Sequence, residues 1–333
     1  MAEEILGYLD HNILDSIRKG DPHSIKKLLD DHNITPIYSH ENLKEIKRSV
    51  GSEGIFLSIL QELGAKYIEL TFVKNLPTGS AKINNIDVFD VWKWFIDNDD
   101  PMPEYGYGLT SMLEKFYGGR NDESYADIFL KGSEELKSLL NDALKDLESE
   151  ETFTDEMRSA IESLPELLKE QYEQMSIDLD NQEQPPVKQF EQTTGLGALV
   201  LKNIKSPNVV EKVFDSVMKS MDGVELDIDM FFGVKPQPHE ANNDREKTPS
   251  EKVNGIYHQL NFLGYYRDTG MKNNRGFVRS SSDMTHAGIA SFCHLLLCRD
   301  EGLVVKAAAA YEYLGIKTNI VHFQANKKIN KDT

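Results

Sequence analysis

Asp10, at the end of the apolar run ILGYL, and Asp300, just after LLLCR, are carboxylates set where two apolar strands should stop. Aspartate is poor strand material and is costly to bury unpaired, so such positions need a reason. In open parallel sheets the C-terminal ends of the strands form the edge at which ligands bind. Asp283, in SSSDMTHAGIA, falls at or near the start of an expected helix, where backbone N–H groups and the helix dipole favour a carboxylate. Glu45 lies in SHENLKEIKRSV, with Glu41 one turn earlier on the same face. Carboxylates from separate segments repel one another strongly unless a cation joins them. All-oxygen ligation suits Mg²⁺ or Mn²⁺, which keep several waters and bind phosphate oxygens. Such an ion can activate water and stabilise in-line attack on a phosphodiester, and two ions about 4 Å apart can share those tasks. Singly, each residue has a plainer role. Asp10 can begin a turn or cap a helix, Asp283 can cap, Asp300 can open the turn at Glu301-Gly302, and Glu45 can pair in solvent with Lys44, Lys47 or Arg48. Only their conjunction points to a site.

The elements that must position them follow from pattern. Residues 5–11 suit a strand, and helices follow, with Asp21-Pro22 as cap and first helical proline. ITPIY reads as a strand, SHENLKEIKRSV as a helix beginning at Ser39, FLSILQELG as a helix ended by Gly64, and AKYIELTFV as a strand. This alternation predicts an α/β fold with a mainly parallel sheet. After residue 74, NLPTGSAKIN reads as a loop, and IDVFDVWKWFI as a helix with Trp92 and Trp94 packed, with a strand as the alternative. Residues 132–175 have helical leucine spacing, and 178–189 read as a linker blocked by Pro185-Pro186. Ser206-Pro207 is expected to open a helix with an apolar face from Val209 to Met218, and 234–250 to be a polar, mobile loop. Beyond 250 the α/β grammar returns. A helix capped by Ser250 is followed by one starting near Asp283, the buried strand HLLLC, the helix LVVKAAAAYEYLG and a last strand, TNIVHF. The expected organisation is a core from residues 1–73 and 250–326, a mostly helical acidic insertion at 74–249, and a tail at 327–333.

With 39% hydrophobic and 28% charged residues the chain is expected to be globular, without a transmembrane run or a signal peptide at MAEEILGY. Cys293 and Cys298 read as buried thiols of a cytoplasmic protein. The net charge of −18 opposes phosphate binding, but it is concentrated in residues 132–184 rather than at the ends. Neither an H-E-x-x-H helix, nor a Cys/His zinc pattern, nor a GxxxxGK[ST] loop occurs, and TGLGALV is too incomplete for a dinucleotide fingerprint.

The ordered set YLDHNILD, YSHENLKEIKR, SSDMTHAGIA and LLLCRDEGLVVKAAAAYEYLGI resembles the signature of PIN-like nuclease domains. The resemblance covers residues 5–73 and 250–323 and implies an α/β/α sandwich whose acidic residues bind divalent metal and hydrolyse phosphodiesters, commonly in RNA. It implies Asp10, Glu45, Asp283 and Asp300 as metal ligands and catalytic residues, with Glu41 as alternative to Glu45 and His286 beside the metal. Cys298 stands where the family often has Thr or Ser, and the long insertion has no counterpart in minimal members.

Nucleic acid is the expected partner, RNA before DNA. Candidate contacts are Asn12, His286, Lys44, Arg48, Arg275 and Arg279, the last two in an aromatic and cationic run, YYRDTGMKNNRGFVRSSSD, suited to a single strand. The acidic insertion could bind a basic protein, mimic nucleic acid, or be a solvated helical hairpin; a homo-oligomer is also compatible. Two other functions compete: a metal-dependent phosphohydrolase of nucleotides or small phosphate esters, and a PIN-like scaffold without activity.

Overall fold

The alternation read from residues 5–73 is present in the computed structural model, which describes residues 4–74, 76–98, 107–147, 154–221, 223–236 and 245–324. The chain begins β1 (Ile5–Leu9), α1 (His11–Arg18), α2 (Ile25–Asp31), β2 (Ile34–Ser39), α3 (His40–Arg48), α4 (Glu53–Glu62) and β3 (Lys66–Val73). Next come β4 (Leu76–Asn84), α5 (Val88–Asn98), α6 (Tyr107–Phe116), α7 (Tyr125–Leu147), α8 (Asp155–Asp180) and α9 (Pro186–Thr194). It continues with α10 (Ala198–Leu201), α11 (Val209–Ser220), α12 (Ile228–Phe231), α13 (Pro249–Leu263), α14 (Asn274–Ala290), β5 (Leu295–Cys298), α15 (Glu301–Leu314) and β6 (Asn319–His322). The strands form one six-stranded sheet in the order β4-β3-β2-β1-β5-β6. Every pairing is parallel except β3 with β4. The fold is therefore α/β.

Strand order locates the edge that matters. From β1 the chain moves outward through β2 and β3 on one side, and returns much later to add β5 on the other. The order thus reverses between β1 and β5, and the crevice beyond their C-terminal ends is the natural ligand site of such a sheet. β1 approaches its neighbours closely. A Cβ at Gly7 would lie 2.6 Å from Ile34 Cγ2 and 3.1 Å from Leu297 Cδ1, so only glycine fits. Leu9 and Leu297 join a core with Ile13, Leu14 and Ile17 of α1, Leu43 and Ile46 of α3, and Phe56, Leu57 and Leu60 of α4. Each such side chain contributes about 1.5–3 kcal/mol by leaving water. Packing Leu43 and Ile46 inward fixes the rotation of α3, and so sets where Glu41, Glu45 and Arg48 lie along it.

The chain divides into two units. One comprises Met1–Asp99, Leu196–Arg267 and Ser281–Thr333, the other Asp100–Gly195 and Asp268–Ser280. The expected boundaries at 73 and 250 therefore move. Residues 76–84 are not a loop but β4, paired along β3 from Tyr67 to Val73, and α5 also belongs to the first unit. As an edge strand β4 tolerates Pro77 and Gly79, the residues that made it read as a loop. Of the two tryptophans expected to pack in α5, Trp92 stacks with Phe95 but Trp94 is 50% exposed. Other helix starts shift for local reasons. Thr248 rather than Ser250 caps α13, with Glu251 closing a capping box. Asp21 caps α2 from a distance, accepting from the N–H groups of Ile25 and Lys26. The bond before Pro207 is cis, and α11 starts at Val209 after Asn208.

In the second unit α7 and α8 pack together, and the Asp180 carboxylate accepts from the Tyr125 and Ala126 N–H groups at the start of α7. The expected linker shrinks, since α8 runs to Asp180 and Pro186 is already the first residue of α9. Of the expected mobile loop at 234–250, residues 237–244 lie outside the described residues, as does the tail at 327–333, while Pro249 and Ser250 already belong to α13. Among the described residues no helix is long and apolar enough to cross a membrane.

Candidate metal centre

β1 ends one residue before Asp10, whose N–H still donates to Leu297 O across the sheet at 3.0 Å. Asp10 occupies the cap position of α1, yet its side chain makes no capping bond. The carboxylate is 1% exposed, accepts from Asn12 Nδ2 at 3.1 Å, and lies 3.9 Å from His286 Nε2. The plain role of helix cap is therefore not the one it plays. Asp300, at the corresponding end of β5, does cap its helix, accepting from Leu303 N–H at 3.0 Å through Oδ1.

Glu45 and His286 meet Asp10. His286 Nε2 is 2.8 Å from Glu45 Oε2, and one ligand atom from each of Asp10, Glu45 and His286 lies within 4.8 Å of the others. Asp283 and Asp300 likewise bring carboxylate oxygens within 4.8 Å of each other. The expected cluster is thus two neighbouring groups at adjacent strand ends. Asp10, Asp283 and Asp300 all act on the Cys298 thiol, which burial first and then these charges push far above its ordinary pKa.

Asp283 is not at a helix start. It sits well inside α14, so no free N–H group explains it, and the capping alternative falls away. α14 and α3 run in step. Ser282 Oγ donates to Glu41 Oε1 at 2.5 Å and His286 bonds Glu45, each pair 241 residues apart in sequence. Both helices advance by one turn between the two contacts, so their i, i+4 faces stay matched. This register separates the two glutamates. Glu41 is tied to Ser282 and to Arg48 at 3.3 Å, whereas Glu45 faces Asp10 and His286.

The electrostatics follow from burial. Burial opposes charge on His286, but the Glu45 carboxylate, its hydrogen bond, and Asp10 outweigh this and hold the imidazole up to about 9. Burial pushes the Asp10 carboxyl up to about 6; the His286 charge works against that and Glu45 reinforces it. Glu45 moves the other way, since His286 overcomes its burial and lowers its pKa. Without a metal, the imidazolium compensates the carboxylates. Carboxylates with one imidazole form a donor set that fits Mn²⁺ well and Mg²⁺ through the oxygens.

Behind this set lies a chain of buried hydroxyls that the sequence reading missed. His286 Nδ1 is 2.7 Å from Tyr8 Oη, which is 2.7 Å from Ser39 Oγ. Ser39 Oγ donates to Asn42 Oδ1 at 3.3 Å, and Asn42 Nδ2 donates to Leu9 O at 2.8 Å. The signal for Tyr8 was available, because residues i and i+2 of a strand share a face and Tyr8 precedes Asp10 by two. Tyr8→Phe is expected to cost about 1–3 kcal/mol by leaving Ser39 and His286 without their shared partner. Urea denaturation in EDTA measures it, and an unchanged midpoint would show that the chain holds nothing in place.

The remaining expected contacts divide. Asn12 and Arg48 lie beside the cluster, Arg48 donating to Ser282 Oγ at 2.7 Å; Lys44 is half-buried on α3. Arg275 and Arg279 belong to the second unit, where Arg279 donates to Thr269 Oγ1 at 2.8 Å. Neither a family model, nor a curated protein, nor a solved structure matches the chain.

Proposed function

We propose that the chain is a Mg²⁺- or Mn²⁺-dependent nuclease of PIN-like type, hydrolysing phosphodiester bonds, with RNA as the preferred substrate. The observation that carries this reading is the meeting of Asp10, Glu45 and His286, and of Asp283 and Asp300, at the ends of the two strands where the sheet order reverses. Asp10 and Glu45 repel one another in a buried setting, and a divalent cation among them, with Asp283 and Asp300 beside it, would offset that repulsion. A divalent ion bound there supplies a water of lowered pKa and neutralises charge developing on phosphate oxygens. Asp10, Asp283 and Asp300 are the proposed holders of that ion. Glu45 completes the set or orients the attacking water, and His286 fixes the Glu45 carboxylate at 2.8 Å.

The test is cleavage of labelled RNA and of single- and double-stranded DNA with Mg²⁺, Mn²⁺ or EDTA, by wild type and by Asp10→Asn and Asp300→Asn. Cleavage is expected only with the divalent ion, and only in wild type. Products formed in EDTA, or by both variants, would sink the assignment. Turnover of nucleotides or small phosphate esters without cleavage of polymers would favour the phosphohydrolase reading instead.

A further inference from the structure

Next to Asp10 the first unit contains an open cavity of about 530 Å³ between α1, the end of α3 and the start of α4. That volume lies in the range of small-molecule sites, about 300–1,000 Å³. Its walls include His11, Asn12, Asp15, Arg18, Arg48 and Phe56, so one carboxylate stands among the cations. Two of these residues join it to the acidic cluster. Asn12 donates to Asp10 Oδ2 at 3.1 Å, and Arg48 lies 3.9 Å from Glu45 while bonding Ser282.

The other walls suit one kind of ligand. Arg18 is held by Asp15 at 2.7 Å, with its guanidinium over the Phe56 ring at 5.5 Å. The His11 ring packs on the same phenyl group at 4.7 Å, and His11 Nδ1 is buried without a hydrogen-bond partner. Flat cationic and aromatic groups are what a nucleobase stacks on, and arginines flanking them are what a phosphate seeks.

We propose that this cavity binds a single nucleotide of a single-stranded substrate, with its phosphate on Arg18 and Arg48 and its base against the His11–Phe56 wall. The proposal rests on the nuclease reading for its place in the reaction, since it seats the nucleotide adjoining the scissile bond. A base must leave its helical stack to enter, so the subsite selects single strands.

The experiment is equilibrium binding of the four ribonucleoside monophosphates and of inorganic phosphate to the full chain in EDTA, which separates it from catalysis. Nucleotides are expected to bind saturably and about 10-fold or more tighter than phosphate, the difference being base stacking. Arg18→Ala is expected to weaken binding about 10-fold or more by removing a phosphate contact. Val50→Glu, at a cavity residue that is 87% exposed, puts a negative charge at the rim without disturbing the core and should weaken binding in the same direction. Equal affinity for phosphate and nucleotides, or binding unmoved by both substitutions, would overturn the subsite. Arginine-dependent nucleotide binding in a chain that cleaves no polymer would instead leave the subsite standing and end the nuclease reading.

Discussion

Asp10→Asn is expected to lower affinity for Mn²⁺ or Mg²⁺ and to cut cleavage by at least about 100-fold, while leaving the metal-free protein no less stable than wild type. Loss of an outer hydrogen-bond partner alone typically costs a metal site about 10–100-fold, and Asp10 is proposed as a ligand itself. The stability half follows from the direction of its pKa. Burial raises the carboxyl from 3.8 to about 6, so at neutral pH the fold holds this ionised group at a cost on the order of 2–3 kcal/mol. Asparagine keeps the shape and removes the charge. Calorimetric titration of the ion, with urea denaturation in EDTA, separates the two effects. A variant that binds the ion as wild type does would remove Asp10 from the centre.

His286→Ala is expected to have the opposite profile, with a large loss of metal-free stability. The imidazole is wholly buried and bridges Asp10, Glu45 and Tyr8. Removing one partner from a buried ion pair typically costs about 3–5 kcal/mol, because the remaining charges are left uncompensated. The pH dependence gives a signature that a simple packing defect would lack. The folded pKa of His286 is raised from 6.5 to about 9, so its contribution is complete below about pH 6.5 and is lost as pH rises through 9. Asp10, raised from 3.8 to about 6, adds a further loss between those values, in the same direction. Wild type in EDTA should therefore lose stability from pH 6.5 to 9, and the alanine variant should not show that slope. Bound cations require the deprotonated ligands, so the stabilisation they confer should grow over the same interval. A wild-type midpoint independent of pH across it would mean that His286 carries no compensating charge.

Some of this arrangement was legible in residue order. Strand ends could be read because the runs before Asp10 and Asp300 are apolar and then stop abruptly, as parallel strands buried on both faces do. The Ser39 cap gave the phase of α3, and from it the shared face of Glu41 and Glu45, but phase alone could not choose between them. The choice depends on α14, a neighbour that pattern cannot bring alongside. Asp283 was misread because three serines precede it and serine signals a helix start, whereas here those serines are interior, buried positions, and Ser282 donates to Glu41. β4 failed for a related reason, since Pro77 and Gly79 forbid a central strand but not an edge. The cavity walls were least legible, because Arg18 and Phe56 come together only through the packing of α1 against α4.

The matched step of α3 against α14 also bears on how the protein is made. A ribosome adds about 5–20 residues per second, and it makes Glu45 241 residues before His286, with β5 and Asp300 later still. Until β5 emerges, β1 lacks one of its two neighbours, and the early carboxylates lack the imidazolium that balances them. The nascent chain thus carries an unfinished half-centre until those segments follow. Whatever chemistry the centre performs begins only after translation has passed Asp300.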